Sequence, residues 1–428
     1  MTRRDLLGIA VAPISARRLL GASDRVLVGL IGCGGRGRYL ARLVSETQGA
    51  AVAALCDVYD LNAAAAKAHA VAGAAVFRDF RKLLELKDLD AVLIATPDHW
   101  HTIPAVLAME ADKDVYVEKP LAHNVREGRA IVEAARRHKR IAQTGMQHRS
   151  AAHFAEAARI VQSGELGEVR YVRAWNFSNR WPAGIGNKSE SNPPDGLDWD
   201  FYLGPAPWRP FNPLRFLGTY RWFWDYAGGT ITDFGTHRFD TVHQIMNAEA
   251  PVRVSASGGK YSLKDAAETP EVLQVTCEYP GFVLSYEACE LNAHGLGGRR
   301  QGMRYYGAKG MDDSPHGMAF YGTNGALFAD RIGWEIYPEG NRIASRQRSA
   351  ADATPEHVRN FLECVRSRVT PNAPVEAGHR AAIVAHLGNI AYKSGRTLRW
   401  DANGETCLGD GEASRLLARA ARKPWDLI

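Results

Sequence analysis

The chain has 428 residues, 46% hydrophobic and 23% charged, which is too long for one hydrophobic core and predicts a soluble protein of two domains. No apolar run reaches the length of a bilayer span, which argues against a membrane partner. Of the net charge of +6, the four arginines of residues 1–23, set against Asp5, account for +3, and no Lys/Arg block suggests a nucleic-acid surface.

The leader "TRRDLLGIAVAPI" places a twin arginine before a short apolar run and a small-residue stretch, "LLGAS". It fits a twin-arginine export signal and a loose basic arm equally well, so cytoplasm and periplasm stay open. Ordered structure begins at "DRVLVGLIGCGGRGRYLARLV" (24–44), a buried strand running through glycines into a helix. Strands follow at 50–60, 90–97, 114–120 and "RIAQTGMQ", with helices between them, which predicts a doubly wound parallel sheet over 24–148. Beyond it come a helix in "HFAEAARIVQSGELG" and alternating strands such as "EVRYVRAWNFS", "EVLQVTCEY", "FVLSYEACEL" and "MAFYGTNGALFAD". These predict a second α/β domain over 149–400 with an open, largely antiparallel sheet, then a tail, 401–428, packing back on the body. Thr354 before Pro355 reads as the N-cap of a helix over 354–368. Cys33, Cys56, Cys277, Cys289, Cys364 and Cys407 show no CxxC pair and no zinc spacing; Cys33 and Cys56, beside apolar strands, are expected to be buried thiols.

Gly32, Cys33, Gly34, Gly35, Arg36 and Gly37 form G-x-G-x-x-G between strand and helix, and Asp57 ends the next strand. Such glycines permit a tight turn and close backbone approach to a pyrophosphate at the helix N-terminus. A carboxylate at Asp57 can accept the ribose hydroxyls and repel a 2′-phosphate. This favours NAD, while Arg36 and Arg38 keep NADP open. "TPDHWH" (96–101) ends a strand on the ligand-binding side of such a sheet, so Thr96, Pro97 and His101 join the expected cofactor residues; His99 and His101 lack a third metal ligand.

"YVEKP" (116–120), following "GCGGRG" and "ATPDHWH" and followed by "GGTITDFGTHRFD" and "HVRNFLECVRS", resembles the Gfo/Idh/MocA family of sugar and inositol oxidoreductases from about residue 24 onward. The resemblance implies a Rossmann domain and a second domain whose open sheet faces the active site, assembled as a dimer or tetramer. It places Lys119, beside Glu118, next to the nicotinamide and the reacting carbon, and matches Asp233 and His237 to the family's Asp-x-x-x-His pair. Alcohol oxidation needs a base for the hydroxyl proton and positive potential beside the developing alkoxide. His237 is assigned as proton acceptor and Lys119 as electrostatic partner, with the reverse open; Asp233 orients substrate or imidazole.

At helical pitch Asp233, His237 and Asp240 share a face. A metal would need Asp240 or His243 as third ligand, and none is expected. Gly228 and Gly229 read as room for a bound ring near the backbone. Six tryptophans lie between 175 and 224, suited either to sugar faces or to a small core of their own. Trp222, Asp225 and Arg149 are the expected substrate-pocket residues. The resulting expectation is an NAD-dependent oxidoreductase acting on a secondary hydroxyl of a sugar, cyclitol or glycoside. A redox-neutral glycoside-processing enzyme and a non-catalytic nucleotide- or sugar-binding regulator are its rivals.

Overall fold

The computed structural model describes residues 25–294 and 316–426. The expected leader, 1–23, lies outside the described residues. A first sheet contains β1 (Val26–Ile31), β2 (Ala50–Cys56), β3 (Ala75–Phe77), β4 (Ala91–Ile94), β5 (Asp114–Val117) and β6 (Ala142–Thr144). All pair in parallel in the order β3-β2-β1-β4-β5-β6. Strands β1, β4 and β5 are buried along their whole length because helices cover both faces, which explains their unbroken apolar runs. The order reverses between β1 and β4, and the crevice at that point is where such sheets take ligands. β3, only three residues long, carried no periodicity to predict it from.

The second sheet is formed by β7 (Tyr171–Asn179), β8 (Arg253–Gly259), β9 (Val272–Tyr279), β10 (Phe282–Cys289), β11 (Leu291–Asn292), β12 (His316–Gly322), β13 (Gly325–Asp330), β14 (Gly333–Pro338), β15 (Arg346–Ser349), β16 (Leu398–Asp401) and β17 (Thr406–Cys407). Its order is β15-β14-β13-β12-β7-β10-β9-β8-β16-β17, with β11 on β7. Among the described residues only its β7–β10 pair is parallel. The stretch 318–330 is a hairpin of two strands, turning at Thr323 and Asn324.

Helices Ala152–Gln162, Thr236–Met246 and Val375–Ser394 cover one face of this sheet, where Phe239, Val242, Leu387 and Ile390 meet Val275, Leu284 and Tyr286. The helix Thr354–Ser367 follows most of the second sheet in sequence yet packs on the first, through Val358, Phe361 and Leu362 against the cluster of Val28, Leu30 and Tyr116. Fully burying each such side chain contributes about 2 kcal/mol. The expected cap is displaced there: Ala353 is the N-cap, and Asp352 Oδ1 accepts from the Thr354 N–H at 3.1 Å and its hydroxyl at 2.8 Å. The C-terminal segment returns to the first domain. Trp425 packs edge-on against Trp100 at 4.8 Å and flat on Phe201 at 5.1 Å, and Arg419 bonds Glu127 at 2.7 Å.

Candidate active site

β1 delivers the chain into Gly32, whose φ of +89° is open to glycine. A Cβ on Gly37 would lie 1.9 Å from the Gly32 carbonyl oxygen, so helix Gly35–Ser45 can approach the strand only without one. Gly34 and Gly35 are the converse. A Cβ there would meet nothing within 4 Å, and both residues line a cavity of ≈ 360 Å³ into which the helix N-terminus opens. Arg36, Asp57, Thr96 and Pro97 line the same cavity. Asp57 Oδ2 accepts the Cys33 N–H at 2.7 Å and Oδ1 the Tyr59 N–H at 2.8 Å, and the Asn62 side chain also bonds this carboxylate. Burial pushes its carboxyl up to about 6 against these bonds and the charge of Arg38. A bare-backbone cradle at a helix N-terminus with a carboxylate beyond it fits a dinucleotide.

The remaining expected cofactor residues, Cys33, His101, Glu118 and Lys119, do not line this cavity. Cys33 is buried. His101 spans two strand ends, with Nδ1 2.7 Å from the Pro120 carbonyl and Nε2 3.0 Å from that of Thr96. Glu118 is buried and accepts from Arg36 Nε at 2.7 Å. Burial opposes its charge, but Arg36 and Lys119 hold the carboxyl below its usual range. Arg38 donates to the Cys33 carbonyl at 3.1 Å. Both arginines that kept NADP open therefore have bonds to the protein itself.

Lys119 leaves the end of β5 and reaches across to the second domain. Its Nζ donates to the Asp233 carbonyl at 2.8 Å and pairs with Asp233 Oδ1. Arg221 Nε sits 3.1 Å from Asp233 Oδ2, and Arg221 also lines the cavity, so one arginine joins the ion pair to it. Burial opposes ionisation of Asp233, yet Lys119 and Arg221 hold it well below the usual carboxylate range. His237 is buried and stacks on His148 at 5.0 Å; its Nδ1 has no hydrogen-bond partner among the described residues. Burial, reinforced by Arg331 and His148, holds its pKa well below the ordinary histidine value, so the imidazole is neutral at pH 7. His148 is oriented in turn: Arg331 Nε donates to its Nε2 at 3.0 Å, so its Nδ1–H points to Thr241 Oγ1 at 2.8 Å.

The shared helical face is altered by a π-helical turn, Ile231–Gly235, ahead of helix Thr236–Met246. The wider turn changes the pitch that the sequence spacing assumed, in the manner of π-turns at functional sites. Asp233 meets Lys119, whereas Asp240 is buried against Arg149 Nε at 2.6 Å and His243 Nε2 meets the Tyr279 hydroxyl at 2.8 Å. The reading of Gly228 and Gly229 as room for a ring is corrected. A Cβ on Gly228 would come within 2.6 Å of Thr232 and Asn389, and Gly229, at φ +75°, abuts Thr269 at 2.8 Å. Protein occupies that space.

Of the expected substrate residues, Arg149 is committed to Asp240, and Asp225 accepts from Arg209 at 3.0 Å. Trp222 is buried with its Nε1–H on Glu290 Oε1 at 2.9 Å. The aromatic loop builds its own core of Trp199, Tyr202, Phe211, Phe216, Tyr220 and Phe223 against Val58 and Tyr59, and three of these (Tyr202, Phe216, Tyr220) also wall the cavity. Sequence reasoning missed Arg221, although it adjoins Trp222. It also missed a polar row on the sheet: Tyr286 donates to Asn176 at 3.2 Å, and Asn176 lies 3.0 Å from His316, its partner in the β7–β12 register. Only the strand pairing could have revealed that row.

Residues 26–146 match the GFO_IDH_MocA model, described as an oxidoreductase family with an NAD-binding Rossmann fold. Residues 151–296 and 317–427 match that family's C-terminal alpha/beta domain. An inositol 2-dehydrogenase of Salmonella paratyphi B is 31% identical over 152 residues, 35% of this chain and 45% of that protein. A glycosyl hydrolase family 109 protein of Solibacter usitatus is 34% identical over 167 residues, 32% of this chain and 37% of that protein. The chain thus spans less than half the length of either. A levoglucosan dehydrogenase solved with NADH and levoglucosan superposes with a TM-score of 0.65 at 17% identity, over 87% of this chain and 99% of the other, a likeness of fold.

Proposed function

The chain belongs to the Gfo/Idh/MocA oxidoreductase family, and on that premise we propose that it oxidises a secondary hydroxyl of a sugar, cyclitol or glycoside with NAD. The observation that carries this reading is the Lys119–Asp233 ion pair beside neutral His237, tied to the dinucleotide cavity by Arg221. Gly34 and Gly35 would hold the pyrophosphate and Asp57 the ribose hydroxyls. Bound NAD supplies the hydride acceptor.

The protein's own groups handle the proton. His237, neutral through burial, has an imidazole lone pair free to accept the hydroxyl proton. Lys119 sets a positive charge where the alkoxide develops. Asp233 stays ionised between Lys119 and Arg221, so it orients Lys119 rather than exchanging protons near neutrality. Arg36 and Arg38, bonded to Glu118 and Cys33, support NAD over NADP.

A second reading, redox-neutral processing of a glycoside by transient oxidation, elimination and re-reduction, is favoured by the aromatic wall. Phe201, Phe216 and Tyr220 of the second domain enclose the cavity and would retain a cofactor between turnovers. Incubating the protein with NAD and a panel of sugars, cyclitols and glycosides, following NADH absorbance and product mass together, separates the two. NADH accumulation removes the redox-neutral reading, and cleaved glycoside without NADH removes the simple dehydrogenase. Self-association as a dimer or tetramer, which the family resemblance implied, would be tested by light scattering.

A further inference from the structure

Arg180 stands out among the cations around Asp233. Lys119 and Arg221 each pair with that carboxylate. Arg180 makes no side-chain hydrogen bond to any described residue. Its nearest carboxylate oxygen is Glu290 Oε2, 3.8 Å from Nε and beyond hydrogen-bond length. Glu290 is already engaged, its Oε1 accepting from Trp222 Nε1 at 2.9 Å and from the Thr230 hydroxyl. The guanidinium lies on the Trp222 indole with its carbon 3.4 Å from the ring centroid, and its side chain keeps 23% of its surface exposed.

The backbone fixes this placement. Arg180 follows the last residue of β7, its N–H donates to the Glu290 carbonyl at 2.8 Å, and its own carbonyl accepts from Gly184 at 2.8 Å. Burial lowers the guanidinium's pKa against the pull of Glu290 and Asp233, so the group lies within electrostatic reach of the catalytic carboxylate. With 23% of the side chain exposed and no hydrogen bond to a described residue, its N–H donors stay open to a ligand that supplies acceptors. Stacked on an indole, it presents its N–H edge in one fixed plane, which matches the two oxygens of a carboxylate.

We infer that Arg180, laid on Trp222, is a carboxylate-binding subsite, and that the substrate is an acidic sugar such as a uronate or aldonate. This rests on the reading of the site as one for sugar-like molecules. It goes further by assigning the ligand a charge and an anchor.

The test is calorimetric binding to the full-length, NAD-saturated protein. The probes are D-glucuronate, D-galacturonate and D-gluconate beside their neutral counterparts D-glucose and D-galactose. At least one acid should bind tenfold or more tightly than its counterpart. Arg180→Gln should abolish that difference while leaving neutral-sugar affinity unchanged, and Arg180→Lys, with a charge but no planar fork, should fall between. Unchanged thermal unfolding and NAD affinity would show that a variant is folded; if Arg180→Gln is not, Arg180→Lys alone decides by an acid-selective loss. Equal affinity for acid and neutral sugars, or an equal loss of both in the variant, would overturn the inference. Because binding is read without turnover, failure to form NADH would remove the dehydrogenase reading and leave this result standing.

Discussion

Asp57 is the carboxylate whose titration should control cofactor binding. Burial sets its pKa at about 6 in the cofactor-free protein, and accepting two ribose hydroxyls requires the ionised form. With that value about nine-tenths of Asp57 is charged at pH 7 and about one-tenth at pH 5, so NAD affinity should fall about tenfold, or about 1.4 kcal/mol, across that interval. Stability of the cofactor-free protein should move the other way. The folded pKa of about 6 exceeds the reference 3.8, so the folded state takes up the proton first and is relieved of a buried charge as pH falls through that window. Fluorescence titration with NAD at a series of pH values, with thermal unfolding in parallel, measures both. Asp57→Asn should bind NAD at least tenfold more weakly at pH 7 and lose the pH slope, because no ionisation remains at the position. Affinity that does not change between pH 7 and 5, or a slope that survives in Asp57→Asn, would refute the assignment.

Gly34→Ala should fold with unchanged unfolding temperature yet lose NAD, since its Cβ meets no protein atom within 4 Å but enters the cradle. Gly37→Ala should fail at the level of folding, because its Cβ would lie 1.9 Å from the Gly32 oxygen; solubility and circular dichroism separate the two. Arg221→Ala removes one of the two cations on Asp233, and kcat should drop about ten- to hundredfold through misplacement of the Lys119–Asp233 pair, with partial rescue by Arg221→Lys. Trp425→Ala empties the contact with Trp100 and Phe201 and should cost about 3 kcal/mol in denaturant unfolding.

The parts of this protein that were legible in its sequence are those where local chemistry dictates residue type. Gly32 and Gly37 are required by a turn and a close helix–strand approach, and Asp57 follows β2 and lines the cavity beside them. The Lys119 and Asp233 motifs meet across the domains as the family resemblance implied. What stayed hidden depends on tertiary packing. The π-turn at Ile231–Gly235 has no distinctive composition, so Asp240 was read on the catalytic face although it pairs with Arg149. Gly228 and Gly229 resemble ligand-contact glycines but serve packing against Thr232 and Thr269. Arg180 and Glu290 are 110 positions apart in the sequence and meet only because β11 brings Leu291 back beside Asn179. The helix Thr354–Ser367 looks like any amphipathic helix, and nothing local says that its apolar face belongs to the first sheet.

The central claim is that Lys119 and His237 act on a substrate hydroxyl beside bound NAD. Its most direct test is a single-turnover measurement on NAD-saturated protein mixed with the best substrate from the sugar and cyclitol panel, comparing the native chain with Lys119→Met and His237→Ala. Both variants should bind NAD with native affinity and form product at least a hundredfold more slowly, a loss of about 2.7 kcal/mol in transition-state stabilisation. Native single-turnover rates in either variant would contradict the claim.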